Sequence, residues 1–334
     1  MTAMHHLRGF SLIEMMVALF IGALIVLMVG QVYVMSSQNA LSQQNVADAI
    51  NQQVFAFDGM MANLRLAGLG IDGSVLTQAT PSGILIHAKQ LDGQNKSGEN
   101  LSAYLTASRF IKNAHTNLPS DQLTITYRAP QDMWSCEGEM VLGPRRVRLK
   151  SGEMVDVDGQ VVIERYFVQN DDGVMNLHCD SAKFIVQNIA RDGTRDRRFG
   201  QSSTSFMSAI IDDDAKRTKS ANVIYGFGGQ GGGQIIAHHV EGMWVRFGVQ
   251  TTDGIKLMAS GDYDATLALP IVSIDLALLT HSSSLINDKD DGVNEQSFAI
   301  FDKTARLTNH APKGDRQLHQ MSIELRNAQS GIND

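Results

Sequence analysis

The feature that most constrains this chain is an apolar run near its amino terminus. Between Phe10 and Met35 the only acidic or basic side chain is Glu14, and residues 15–30 carry no charge. As a helix, residues 10–35 would extend roughly 39 Å, which exceeds the hydrocarbon core of a bilayer at about 30 Å. The run therefore predicts one membrane-spanning helix.

The residues that flank this run argue against an ordinary secretory signal. Such a signal has a shorter apolar segment followed by a cleavage site of small residues, and neither is found here. The short segment before the run contains Arg8 with His5 and His6. Positive charge favours the cytoplasmic side, so the rest of the chain is expected on the far side of the membrane.

Glu14 is unexpected in a simple membrane anchor. A carboxylate within hydrocarbon is costly and indicates a functional site. A free α-amino group at the start of the helix, whose ordinary pKa is near 8, could pair with it. Such an amine would require cleavage just after Gly9.

The segment Arg8–Glu14, with sequence RGFSLIE, resembles the class III signal of type IV pilins and of type II secretion pseudopilins. The resemblance implies that a prepilin peptidase removes residues 1–9 by cutting between Gly9 and Phe10. It also implies that Phe10 becomes N-methylated. Glu14 would then pair with an N-terminal amine in the growing filament.

Helical periodicity continues beyond the apolar run. One helical stripe of apolar residues consists of Val46, Ile50, Val54, Phe57, Met61 and Leu64. Gly68 and Gly70 follow as helix-stopping residues. We therefore predict a helix of about 60 residues from Phe10 to Gly70. Residues 10–35 form its transmembrane and assembly half, and residues 36–70 form an amphipathic half that packs on a head.

Residues 71–334 are predicted to form a β-rich head, which makes the fold class α+β. The candidate strands are Ile84–Ile86, Leu123–Tyr127, Val161–Val168, Val240–Val249, Ile271–Leu279 and Met321–Leu325. Alternation in Leu123–Tyr127 is typical of a half-buried strand. Short helices are predicted at residues 101–111 and 206–211. Residues 192–235 are interpreted as an insertion.

The chain has two cysteines, Cys136 and Cys179. In an exported protein such a pair favours a disulfide, with two free buried thiols as the alternative. Closing a loop of about 44 residues would stabilise the fold by about 4 kcal/mol.

Several head segments resemble the PilW minor pilins. They are Asn63–Gly68, Ser120–Tyr127 with Cys136–Gly138, Tyr166–Val168 with Leu177–Cys179, Val240–Met243, 270–282 and Ile323–Asn327. The resemblance supports the bridge between Cys136 and Cys179 and implies a minor pilin. Residues 192–235 have no counterpart in it.

Other candidate chemistry is weak. A net charge of −7 gives a nucleic-acid partner no electrostatic support.

Residues 226–233 are glycine-rich but lack the lysine and hydroxyl ending of a phosphate loop. His238 and His239 lack the spacing of a helical metal site. The aspartates at 156–158 and 288–291 precede glycines and favour turns over calcium loops. We predict no catalytic residue, metal site or cofactor.

The sequence thus predicts a non-enzymatic minor pilin of the type IV pilus that helps to initiate filament assembly near the tip. Its expected partners are other minor pilins, the major pilin, prepilin peptidase and the inner-membrane assembly platform. Membrane lipid surrounds the helix before assembly. The expected location is the inner membrane with a periplasmic head, then the pilus. The alternatives are a minor pseudopilin of type II secretion and, less favoured, an anchored periplasmic adhesin or hydrolase.

Overall fold

The structure is a computed structural model that describes residues 11–71, 82–87, 101–148, 154–184, 232–264, 267, 269–281, 296–312, 314 and 316–327. Of helix residues 41–42 and 45–55 only the backbone is described. The chain forms a long amino-terminal apolar helix followed by a strand-rich head, which confirms the predicted α+β class.

Helix α1 comprises Leu12–Leu64, 53 residues or roughly 80 Å. The predicted end at Gly70 is wrong by six residues, since residues 65–70 form turns. Gly68 and Gly70 adopt positive φ values of 78° and 63°, which glycine tolerates best and which end a helix. Of the predicted stripe, Phe57 and Leu64 are buried and Met61 is half-buried. Its members at 46, 50 and 54 lie outside the described side chains.

The head is built from antiparallel strands. They are β1 (Ala107–Ile111), β2 (Ser120–Arg128), β3 (Met133–Trp134), β4 (Met140–Val141), β5 (Arg145–Arg148), β6 (Met154–Val157), β7 (Val161–Asp171), β8 (Val174–Phe184), β9 (Gln234–Ala237), β10 (Val240–Thr251), β11 (Gly254–Ala259), β12 (Ile271–His281), β13 (Ser297–Ile300), β14 (Lys303–Arg306) and β15 (Arg316–Glu324). One sheet has the order β1-β2-β7-β8-β9 and a second has β11-β10-β12-β15. The remaining strands form three two-stranded ribbons.

Most predicted strands are confirmed, as parts of β2, β7, β10, β12 and β15. Ile84 makes only an isolated bridge to Ile125. The helix predicted at 101–111 is wrong beyond Tyr104: a short 3-10 helix covers Leu101–Tyr104, and β1 follows. Pairing of β1 with β2 therefore overrides a weak helical period. The prediction at 206–211 lies outside the described residues.

Strand β2 is buried on both faces, and the prediction of a half-buried strand is wrong. The polar face of β2 can be buried because the hydroxyls of its two threonines donate hydrogen bonds to backbone carbonyl oxygens. Thr124 donates to the carbonyl oxygen of Tyr104, and Thr126 donates to that of Val162 at 3.0 Å. Hydrogen bonding of this kind removes the penalty for burying a hydroxyl. Alternation of polarity therefore did not indicate solvent exposure here.

The two larger sheets share one core and are joined where β2 meets β10. The Ser120 hydroxyl accepts from the Met243 N–H at 3.0 Å and donates to its carbonyl oxygen at 3.1 Å. Asp121 accepts from the Val245 N–H at 3.0 Å. A single cluster of buried apolar residues includes Phe57 and Leu64 of α1 together with residues of both sheets. The helix end is thus part of the core of the head.

Candidate functional site: the amino-terminal helix and its joint with the head

The first part of α1 is an exposed apolar surface. Residues Leu12–Ala40 form a 29-residue segment that is long and apolar enough to cross a membrane, and all of its side chains are exposed. An apolar surface of this size in water would be an interaction site. The segment is therefore suited to lipid or to apolar surfaces of other proteins.

Glu14 lies in the first turn of α1. Its Oε2 atom accepts a hydrogen bond from the backbone N–H of Ser11 at 3.0 Å, and its side chain is exposed. This is half of a capping box, and the Ser-x-x-Glu spacing that encodes it is visible in the sequence. This second role of Glu14 was not predicted from the sequence. Gly9 and Phe10, the predicted processing residues, lie outside the described residues.

Glu164 of β7, which was not predicted as a site residue, lies at the joint between α1 and the head. Its side chain is fully buried and accepts hydrogen bonds from four different elements. Oε1 accepts from Asn63 Nδ2 of α1 at 3.2 Å, from the Tyr127 hydroxyl of β2 at 3.0 Å and from the Cys136 N–H at 2.9 Å. Oε2 accepts from the Tyr166 hydroxyl at 2.7 Å. One carboxylate therefore connects the helix, two strands and the disulfide loop.

The environment of Glu164 contains donors but no ion-pair partner among the described residues. Burial raises the pKa of this carboxyl, although the hydrogen bonds from Tyr166, Cys136, Tyr127 and Asn63 oppose the shift. The signal in the sequence was a glutamate within the apolar segment Val161–Val168. A charged residue in a buried strand indicates a specific hydrogen-bonding role.

The disulfide supports this joint. Cys136 and Cys179 are bonded, with their Cα atoms 6.1 Å apart. Cys179 on β8 is paired in register with Tyr166 on β7. The bridge therefore fixes the Cys136 loop beside the strand that carries Glu164, and the alternative of two free thiols is wrong.

A second buried carboxylate, Glu241, is stabilised in a different way from Glu164. Glu241 of β10 accepts from Arg316 Nε at 2.7 Å and contacts His115 Nδ1 at 2.9 Å. Burial alone would raise the pKa of Glu241, but its partners His115 and Arg316 lower it overall. Glu241 is thus held as an ion pair, whereas Glu164 is held by hydrogen bonds from uncharged groups.

The chain that follows α1 is attached to the edge of β2. Gly68 N–H donates to the Thr126 carbonyl oxygen at 2.9 Å, and Arg128 N–H donates to that of Leu69 at 2.8 Å. Gly83 also lies here, with a φ of 66°. A Cβ atom at Gly83 would lie 1.9 Å from the Gly68 nitrogen, so the close approach requires glycine. The exit of the helix is therefore fixed by backbone as well as by Glu164.

The residues considered for metals have other partners. Asp156 pairs with Arg146 at 2.9 Å and Asp158 pairs with Arg128 at 2.6 Å. His238 and His239 lie in the two-residue connection between β9 and β10. In the described part of the chain no group of three His, Cys, Asp or Glu side chains could hold a metal ion. The aspartates at 288–291 lie outside the described residues.

Comparison with known proteins identifies the amino-terminal segment. Residues 4–30 match the prokaryotic N-terminal methylation motif. This methylation motif includes Gly9, Phe10 and Glu14, the residues assigned to processing and assembly. The chain is pilin-like in this segment.

A solved structure aligns with most of the chain. The type IV-like pilin TTHA1219 from Thermus thermophilus aligns with a TM-score of 0.30 and 10% sequence identity, over 84% of this chain and 97% of that one. A comparison with curated proteins found no match. The inference about function therefore rests on the methylation motif.

Proposed function

We propose that this protein is a minor pilin of the type IV pilus that is processed after Gly9 and assembled through its amino-terminal helix. The observation that carries the proposal is the methylation motif at the start of a fully exposed apolar span. An ordinary anchor would need the span but not the motif. The proposal assigns no enzymatic activity to the chain.

Before assembly, the helix lies in the inner membrane, with lipid around residues 12–40 and the head in the periplasm. Cleavage after Gly9 gives Phe10 a free amine, which is then methylated. A neighbouring amine offsets the cost of placing the Glu14 carboxylate in an apolar environment. Glu14 therefore favours docking of the helix against other pilin helices over its remaining in lipid.

The size of the head supports the proposal that this subunit is used in few copies. It is a two-sheet domain that shares its core with the end of α1. Repeating so large a head along a slender filament is harder than repeating a small one. Together with the resemblance of the head segments to PilW, this favours a role in starting filaments near the tip, with other minor pilins and the major pilin as neighbours.

A minor pseudopilin of type II secretion is the second candidate, because it shares the processing motif and the long helix. Deletion of the gene, followed by counting surface pili and assaying secreted enzymes, distinguishes the two. We expect loss of pili with normal secretion, restored by the wild-type gene. Loss of secretion with normal pili would contradict the pilus assignment.

A further inference from the structure

A cavity of about 330 Å³ opens where the two larger sheets meet, and none of the residues that line it belongs to α1. Strands β1, β2, β10 and the β13–β14 hairpin contribute to its walls. Trp244, Ile300 and Phe301 provide an apolar side. The volume falls in the range of small-ligand pockets. Filament assembly through α1 makes no use of this cavity.

Two of the residues that line the cavity have strained backbones. Arg109 and Phe301 both have φ values of 55°. Phe301 is the first residue of the two-residue loop that joins β13 to β14, since Ile300 pairs with Lys303. A positive φ at this position of a hairpin favours glycine. A bulky aromatic residue held there points to a functional constraint on the ring.

The ring of Phe301 is held in place from one side. The Arg246 guanidinium carbon lies 4.4 Å from the ring centroid, and Arg246 Nη2 is bonded to Asp275 at 2.8 Å. The cation is thus neutralised within the head and acts as a support for the ring. A strained turn and a fixed guanidinium therefore hold the Phe301 ring at the cavity.

The rim of the cavity carries polar groups of both signs. Asp121 is buried and uses its oxygens to accept from the backbone of Arg109 and Val245, so its role is structural. Three other polar side chains on the rim, Ser108, Asp262 and Asp302, have no hydrogen-bond or ion-pair partner within the described residues. The cationic side chains of Arg109 and Lys303 interact electrostatically with Asp121 but form no hydrogen bond within the described residues. Together these side chains comprise two cations, two carboxylates and one hydroxyl, which carry no net charge.

An aromatic wall with a rim of hydrogen-bond donors and acceptors suits a ligand that has both an apolar face and polar groups. A neutral ring sugar has an apolar C–H face for the ring and hydroxyls that both donate and accept hydrogen bonds. A rim of mixed sign does not favour a simple anion or a simple cation, and a purely apolar ligand would leave the rim groups without partners. We propose that this cavity is a binding site for a neutral saccharide of one or two rings.

Tryptophan fluorescence gives a direct test. The chain has two tryptophans, so the Trp134→Phe variant leaves Trp244 in the cavity wall as the only reporter. The full chain is held in lipid nanodiscs, which avoids detergents with sugar headgroups. Titration with glucose, galactose, N-acetylglucosamine and their disaccharides should give a saturable change for at least one, with a dissociation constant on the order of 1 mM or below.

Variants then tie the binding to the cavity. Phe301→Gly suits the backbone of the turn but removes the ring, and Lys303→Ala removes a rim donor. Lys303→Ala should weaken sugar binding by about tenfold or more, the equivalent of losing one charged hydrogen bond. Phe301→Gly should weaken it by a similar factor because the contact between the ring and the C–H face of the sugar is lost. Phe301→Tyr should retain binding. Arg306→Ala, a charge removed from the same hairpin away from the cavity, is the matched control and should bind normally.

Three results would overturn the proposal: no saturable change with any sugar, an equal response to sulfate or glycine, or sugar binding that is insensitive to both Phe301→Gly and Lys303→Ala. Circular dichroism of each variant shows that the head is folded, and Lys303→Ala suffices if Phe301→Gly does not fold. The site does not depend on the pilus assignment. Sugar binding by an unprocessed chain would support the site even if that assignment failed.

Discussion

Replacing Glu14 with Gln should reduce incorporation of this protein into filaments by about tenfold or more while leaving its level in the membrane unchanged. Loss of one partner of a buried charge pair costs roughly 2–5 kcal/mol, and about 1.4 kcal/mol corresponds to a factor of ten. Gln is also accepted at this position of a capping box, so the variant keeps an acceptor for the Ser11 N–H. The measurement is an immunoblot of sheared filaments and of the membrane fraction.

The Glu14→Gln variant distinguishes two roles for Glu14: docking through its charge, and capping of the helix through its hydrogen bond to Ser11. Glu14→Ala removes both the charge and the cap, so under the docking account the two variants should be equally defective. If Glu14→Gln assembled normally and only Glu14→Ala failed, the residue would be a helix cap and the docking role would be wrong. Gln31→Ala, another exposed polar residue in the span, is the control and should assemble normally.

Replacing Glu164 with Ala should lower the free energy of unfolding of the head by about 4 kcal/mol. The change leaves Tyr127, Tyr166, Asn63 and the Cys136 N–H without their acceptor, and each unpaired buried group costs about 1–3 kcal/mol before water or rearrangement compensates. The melting temperature should fall by on the order of 10 °C. Thermal unfolding followed by circular dichroism measures this directly.

The Glu164→Gln variant should be far milder, because its oxygen can still accept and its amide can donate to a reoriented tyrosine hydroxyl. Glu139→Ala is the control, since that exposed carboxylate pairs with Lys183 and should contribute less than about 1 kcal/mol. A wild-type melting temperature for Glu164→Ala would contradict the role of this carboxylate in the joint.

The pH dependence of stability gives a separate check on Glu164. Its pKa is raised in the folded protein, so the folded state binds the proton more tightly than the unfolded state does. Stability should therefore fall as pH rises from the ordinary carboxyl pKa, about 4.3, through the higher folded value. Glu164→Gln should remove this component. Glu241, whose pKa is lowered, contributes the opposite trend at lower pH.

Much of the architecture was predictable because it depends on local patterns. The helix follows from an uninterrupted apolar run and stripe, and β7, β10 and β12 follow from long runs of β-branched and apolar residues. The disulfide followed from two cysteines in a chain expected to be exported and from the PilW resemblance. Each of these signals lies within one segment or depends only on residue type.

The joint was not predictable because it depends on contacts between distant segments. Asn63 and Glu164 are 101 residues apart, and nothing in either segment identifies the other. For the same reason the burial of Thr124 and Thr126 depends on covering segments that a strand pattern does not reveal. The strained Phe301 is recognisable only once β13 and β14 are known to pair through a two-residue loop.

The most direct test of the central claim is the mass of the mature protein. The chain is expressed in cells with an active prepilin peptidase, purified from the membrane and analysed by intact-mass spectrometry with sequencing of its amino terminus. The account predicts a chain that begins at Phe10 and carries one added methyl group on its amine. A chain that still begins at Met1 in such cells would contradict it.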